Sequence, residues 1–179
     1  NCTVVHFNSL TFCLLLRKLG LYGKKAEEKF IPDIAFNIKE DFQVQFLKGL
    51  LQSDGFAYVG RRNGVENKPL VGHSTSSKRL MEGMVFLFRQ LGILPSVIKS
   101  KQKDHYYKDK LIKSNYFSYN VLIGSIEQLK KIRKIWEDHK NSIVLENYIM
   151  QAKKSGDRKY VVNVNEDFQA VKVHSVEKI

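Results

Sequence analysis

One carboxylate in this chain stands where helix electrostatics disfavour it. Residues 46–55 read Phe-Leu-Lys-Gly-Leu-Leu-Gln-Ser-Asp-Gly, a mostly apolar helical stretch that closes on Asp54. The C-terminal end of a helix carries partial negative charge, so an acid there needs an offsetting role. A divalent cation bound by carboxylate oxygen is an obvious one. Gly55 offers the left-handed conformation that ends a helix. Gly49 and Ser53 lie four residues apart and share one helix face. Two small side chains there let a second helix backbone approach closely. Helices that end in Asp-Gly are also common in proteins with no such chemistry, and these residues alone fit either account.

A second set of residues suits a polyanion. The chain carries 30 Lys and Arg against 18 Asp and Glu, a formal charge of +12. A balance this basic implies a polyanionic partner without naming it. Lys99, Lys101 and Lys103 alternate, so a strand projects them from one face. Arg61, Arg62 and Lys68 fall on one expected hairpin and Lys108, Lys110 and Lys113 on another, with Tyr106, Tyr107, Tyr116 and Tyr119 interleaved. A two-stranded ribbon fits the major groove, where arginine reads guanine and lysines hold phosphate. Taken singly, each basic residue reads equally well as a solvated, lysine-protected strand edge. As a group they point to DNA.

The elements that must position these groups follow from periodicity. After Asp54, residues 56–59 and 70–73 read as strands around a polar turn at 61–68. Leu80, Met84, Leu87, Phe88 and Leu91 follow helical spacing, with Ser76 or Ser77 as N-cap and Gly92 as stop. Strands are expected at 96–101 and 116–123, joined by a long basic loop. A further helix at 125–137 carries Ile126, Leu129, Ile132, Ile135 and Trp136 on its apolar side. The order is helix, two strands, helix, two strands, helix, an α+β arrangement.

The run at 47–55 resembles the LAGLIDADG signature of homing endonucleases, matching at Leu47, Gly49, Leu50, Asp54 and Gly55. Leu51 and Ser53 are conservative replacements, while Lys48 and Gln52 depart from the pattern without touching the acid. Residues 77–80 and 91–93 are similar to the family's middle helix, and the likeness covers about residues 40–140. It implies an αββαββα repeat with a curved antiparallel sheet that lies along a DNA groove. It also implies two motif helices packed through small residues, here Gly49 and Ser53. Each helix delivers one acid, here Asp54 with Gly55 beside it, to Mg2+ at a scissile phosphate. The implied activity is sequence-specific double-strand cleavage of a long site.

Residues 1–39 look like the end of a preceding repeat and its linker, with a helical pattern at 8–19 stopped at Gly20. Glu-Lys-Phe-Ile-Pro at 28–32 is similar to the Lys-x-Ile-Pro that closes the first half of two-repeat intein endonucleases. By that likeness Lys29 is a catalytic candidate. So is Lys140, which follows the last helix, although Lys131 and Lys134 compete with it. Asp33, Asp104 and Asp157 lack a preceding apolar helix, so one acid is present where the reaction uses two. The second is expected from an upstream repeat or from a homodimer partner, the upstream repeat being preferred.

The endonuclease repeat is placed at 40–152 and a β tail at 153–179, with strands at 160–164 and 170–176 around a turn at 165–167. Residues 168–179 are similar to the strand that re-enters an intein splicing domain, although the His-Asn pair with which splicing ends is not among them. His174 reads as a strand residue. Cys2 and Cys13 have no metal spacing, and the histidines form no zinc pattern. There is no phosphate-binding glycine loop and no apolar run of membrane-spanning length, and an intracellular protein is expected. Two other functions share these features: a non-cleaving DNA- or RNA-binding relative of the endonucleases (a maturase, for example) and part of a protein-splicing intein.

Overall fold

The computed structural model of the chain describes residues 8–62, 65–101, 104–107, 110–112, 114, 116–137, 139, 142–151, 161–163 and 169–171. Helix α1 (Leu10–Lys18) begins where Ser9 accepts a hydrogen bond from the Phe12 N–H, and the chain turns away at Gly20, whose φ is +71°. Short 3-10 turns at Ala26–Glu28 and Asp33–Phe36 lead into α2 (Glu40–Asp54). Strands β1 (Gly55–Arg62) and β2 (Val65–Thr75) follow, then α3 (Lys78–Gln90) and β3 (Ser96–Lys101). A small hairpin, β4 (His105–Tyr107) with β5 (Lys110–Ile112), precedes β6 (Phe117–Ile123). Helices α4 (Ile126–Trp136) and α5 (Ser142–Gln151) come next, and β7 (Val161–Asn163) pairs with β8 (Gln169–Val171) antiparallel.

The main sheet is antiparallel with order β1-β2-β6-β3, which matches the expected fold class. Two expectations need correction. Where a polar turn was expected at 61–68, residues 61–62 and 65–68 are strand: Arg61 lies opposite Glu66 and Arg62 opposite Val65, with a bulge between Val59 and Arg61. Polarity misled here, because cross-strand pairing keeps a polar segment extended without any burial alternation. Helix α5 was not foreseen at all.

The helices pack on one face of the sheet. Ala57, Val71, Val121 and Ile123 point into a core shared with Leu47 and Leu51 of α2, Met84, Leu87 and Phe88 of α3, and Ile132 and Trp136 of α4. Helix α3 starts at Ser77, whose Oγ accepts from the Leu80 N–H, and ends near Gly92, whose φ is +67°. Ser125 caps α4 in the same way. Gln128 on α4 then accepts from the Leu94 N–H at 2.7 Å, tying α4 to the loop before β3.

By alternation and register, the opposite face of the sheet carries Phe56, Gly72, Ser74, Leu122, Asn120, Ser118, Ile98 and Ser100. Gly72 is required there by space, because a Cβ would press on the Val121 carbonyl and come within 3.1 Å of both Phe56 and Leu122. Leu122 of that face is buried, but no residue of the face joins the hydrophobic cluster beneath the helices. Helix α1 buries none of its residues, and Leu10, Phe12, Leu14 and Leu15 are exposed.

Candidate functional site

Asp54 is the last residue of α2, exposed, and the chain passes directly from it into β1. Gly55 does not take the left-handed conformation expected of it: φ is −75° and ψ 157°, an extended backbone open to any residue. Its lack of a side chain matters for a different reason. A Cβ would come within 2.8 Å of the Leu51 Cα and 2.9 Å of its carbonyl carbon. The Gly55 N–H donates to the Leu51 carbonyl. Close approach of the strand to the last helical turn therefore fixes where the Asp54 carboxylate emerges.

The backbone of Lys29 is held by a clamp at the start of α3. Ser77, besides capping that helix, donates its Oγ–H to the Lys29 carbonyl at 2.5 Å. Phe30 lies under the Arg79 guanidinium, 4.6 Å from ring centre. Ile31 is buried against Gly83, where any Cβ would sit 3.1 Å from the isoleucine. Three consecutive residues are thus held against the start of α3.

Across the strands from the α2–β1 junction lies a residue that sequence reasoning missed. His73 on β2 is 3 % exposed and is paired across strands with Gly55 on one side and Val121 on the other. Burial pushes its imidazole below the ordinary histidine pKa; the Asp54 carboxylate opposes that shift and the Lys29 ammonium adds to it. Both charges therefore act on one ring. Its buried Nδ1 has no hydrogen-bond partner among the described residues, and a buried polar atom left so costs about 1–3 kcal/mol. Strand alternation with Val71 was the one signal in the sequence for an inward-facing ring.

The other candidates separate. Lys140 lies outside the described residues. Lys131 donates to the Gly92 carbonyl at 2.8 Å. Lys134 lines a shallow depression with Glu40, Asp41, Phe42 and Glu137, at the start of α2, about 20 Å from Asp54 along the helix axis at 1.5 Å per residue. Lys48, a departure from the signature, pairs with Glu137 at 3.0 Å and joins α2 to the end of α4.

Gly49 and Ser53 face away from the core, opposite Gln43, Leu47 and Leu51. Nothing lies within 4 Å of a Cβ built on Gly49, and Ser53 Oγ donates back to the Leu50 carbonyl at 2.9 Å. Phe42, 62 % exposed, lies on the same uncovered face of α2.

Among the basic residues, Arg61 and Arg62 fall in β1, Lys68 in β2 and Lys110 in β5, opposite Tyr107. Lys103, Lys108 and Lys113 lie outside the described residues. Lys99 and Lys101 are exposed and share a face of β3, as alternation required. That face is the one bearing Tyr119 and Phe117, and the Lys99 ammonium sits 4.0 Å from the Phe117 ring centre. The open face of the sheet instead carries Ser74, Ser96, Ser100, Ser118 and Asn120, and Ser74 donates to Asn120 across β2 and β6. Counting charges overlooked these neutral groups, whose hydroxyls and amide can hydrogen-bond base edges.

Asp54 makes no ion pair with a described residue, and a hard cation takes such an oxygen donor. No group of three or more His, Cys, Asp or Glu residues is gathered for a metal among the described residues. The donor set therefore fits one carboxylate arm of a cation site. Nor is any described helix long and apolar enough to cross a membrane.

The family model of a LAGLIDADG-like domain matches residues 41–137. An uncharacterized protein of Methanocaldococcus jannaschii is 33% identical over 130 residues, which cover 70% of this chain and 13% of that protein. The replication factor C small subunit of the same organism is 28% identical over 158 residues, 87% of this chain and 8% of that protein. The chain thus spans only a small part of the curated relatives it matches. Among solved structures, the homing endonuclease I-TnaI shares 21% identity at a TM-score of 0.39, with 62% of this chain and 69% of that one covered. The archaeal intron-encoded homing endonuclease I-Vdi141I, complexed with DNA, shares 12% at a TM-score of 0.40, with 62% and 66% covered.

Proposed function

The chain belongs to the LAGLIDADG-like domain family, and from that membership we propose that it is the cleaving unit of a site-specific DNA homing endonuclease. The observation that supports this reading is the junction of α2 and β1, where an exposed Asp54 ends the helix and His73, paired across strands with Gly55, feels the charges of both Asp54 and Lys29. Asp54 would give one carboxylate to Mg2+. The remaining ligands would be scissile phosphates, water and the acid of a second motif helix. When bound, the cation supplies charge neutralisation at the phosphate and a water nucleophile. Lys29 would stabilise charge that develops on the phosphate as the bond breaks.

The uncovered face of α2, with Gly49 and Ser53, supports docking of that second helix, supplied by an upstream repeat or by another copy of the chain. Double-stranded DNA would lie on the open sheet face and hairpin tips. Ser74 and Asn120 of that face would meet bases, and Arg61 and Arg62 of β1, Lys68 of β2 and Lys110 of β5 would add contacts from the hairpins, while Lys99 and Lys101, on the other face of β3, would reach phosphate only around the sheet edge. Within the chain, 1–39 would close a preceding repeat, 40–152 form the endonuclease unit, and 153–179 lead back into an intein splicing domain.

Cleavage of a randomised plasmid library with and without Mg2+, alongside salt-dependent DNA binding, tests the reading. Asp54→Asn should abolish Mg2+-dependent cutting and leave binding in place. DNA binding without cutting in any divalent cation, unchanged by Asp54→Asn, would mark the chain as a non-cleaving nucleic-acid-binding relative.

A further inference from the structure

His73 occupies a place that packing alone would give to an aliphatic residue. Its neighbours on the helix-facing side of the sheet are Val71 along β2 and Val121 across to β6, with Ala57 diagonally opposite on β1. The imidazole brings to that surface a buried Nδ1 with no partner. An orphaned buried polar atom in a native fold calls for a water, an ion or a functional role to account for it. Directly opposite the ring is Gly55, so no side chain on β1 separates His73 from the end of α2. The same stretch of chain, four residues on, supplies Ser77, which fixes Lys29. The strand end that carries His73, opposite Gly55, and the helix start that clamps Lys29 are therefore one continuous stretch of chain.

Resting on the reading of Asp54 as a cation ligand, we infer that His73 is a positioning residue of that site: it completes the hydrogen bonding of its Nδ1 with the hydrated carboxylate of Asp54 and so holds that carboxylate in its cation-binding orientation. Carboxylate ligands of metals are themselves held by outer hydrogen bonds, and loss of such a partner lowers metal affinity about 10–100-fold. His73 would contribute in this way without touching the cation. Leucine at this position fills the space but holds nothing. Asparagine keeps a polar atom close to the place of Nδ1.

The test is Mn2+ binding to the whole chain, followed by electron paramagnetic resonance without DNA, in wild type, Asp54→Asn, His73→Leu and His73→Asn. The expected result is loss of affinity of about tenfold or more in His73→Leu, substantial recovery in His73→Asn, and the largest loss in Asp54→Asn. Wild-type affinity in His73→Leu together with weakened binding in Asp54→Asn would overturn the role of His73 and leave the Asp54 reading intact. Unchanged binding in Asp54→Asn would remove Asp54 as a ligand and the His73 role with it. If His73→Leu does not fold, the wild type decides. Mn2+ should broaden the ring resonances of His73 at lower concentration than those of any other histidine, and broadening elsewhere first would overturn the inference.

Discussion

Replacing Gly49 with alanine separates two demands on α2. Gly49 sits in the middle of a 15-residue helix, on its uncovered face, with nothing within 4 Å of the new methyl group. Glycine in a helix interior is worse than alanine by about 0.8–1 kcal/mol, and no steric cost offsets the gain here. Gly49→Ala should therefore stabilise the separate chain by roughly that amount, raising the melting temperature by about 2–4 °C for a protein of this size. Equilibrium urea unfolding at low protein concentration measures it. Against a second motif helix the sign reverses. The methyl stands where two backbones must approach, so cutting of DNA and self-association by sedimentation should both weaken. A variant that is less stable than wild type at low concentration would refute the open face. A variant that is more stable yet cuts and associates as wild type would refute helix docking through Gly49.

Three further outcomes follow from the site. Gly55→Ala presses a methyl on the Leu51 backbone, so a loss of about 1–3 kcal/mol is expected in urea, together with weaker Mn2+ binding as Asp54 is displaced; unchanged stability would contradict the close approach. Ile31→Ala empties the contact with Gly83 and should cost about 2–5 kcal/mol, while an exposed control such as Ile34→Ala costs far less. For His73, burial lowers the folded-state pKa, so the unfolded chain binds more protons once pH drops below about 6.5 and stability falls from there toward the folded value. His73→Leu should flatten that part of the stability profile, and identical profiles from pH 7 to 5 would show that His73 carries no such burden.

What was legible in the sequence was whatever repeats with a period. The apolar spacing of Leu80, Met84, Leu87 and Phe88 with Ser77 ahead and Gly92 behind placed α3 within about two residues, because cap chemistry and burial agree there. Residues 96–101 form β3 as expected. The length of β1 and β2 was not legible. The sequence at 61–68 is polar and gives no burial alternation, and it is pairing across the strands that makes 61–62 and 65–68 extended. Helix α5 follows α4 closely and has weak amphipathic patterning, with Leu145 buried and Ile143 exposed, so periodicity did not mark it. At the site, Asp54 was visible from its position. His73 was not, because its meaning comes from a cross-strand pairing with Gly55 that only the folded register creates. The conformation of Gly55 was misjudged for a related reason: the next element begins at once, and a strand that leaves a helix without a loop needs room and no reversal of φ.

The length of β2 sets a ruler. Its 11 residues, at about 3.4 Å each, extend about 37 Å, the axial rise of about 11 base pairs at 3.4 Å per step. A sheet of this reach, laid along a groove, would sample one turn of the duplex from one end of the strand to the other. Two such sheets meeting at their motif helices would read about twice that. On the proposed function, target length would follow the reach of the hairpin, and trimming two residues from each of β1 and β2 should shorten the recognised half by about two base pairs while leaving Asp54 in place.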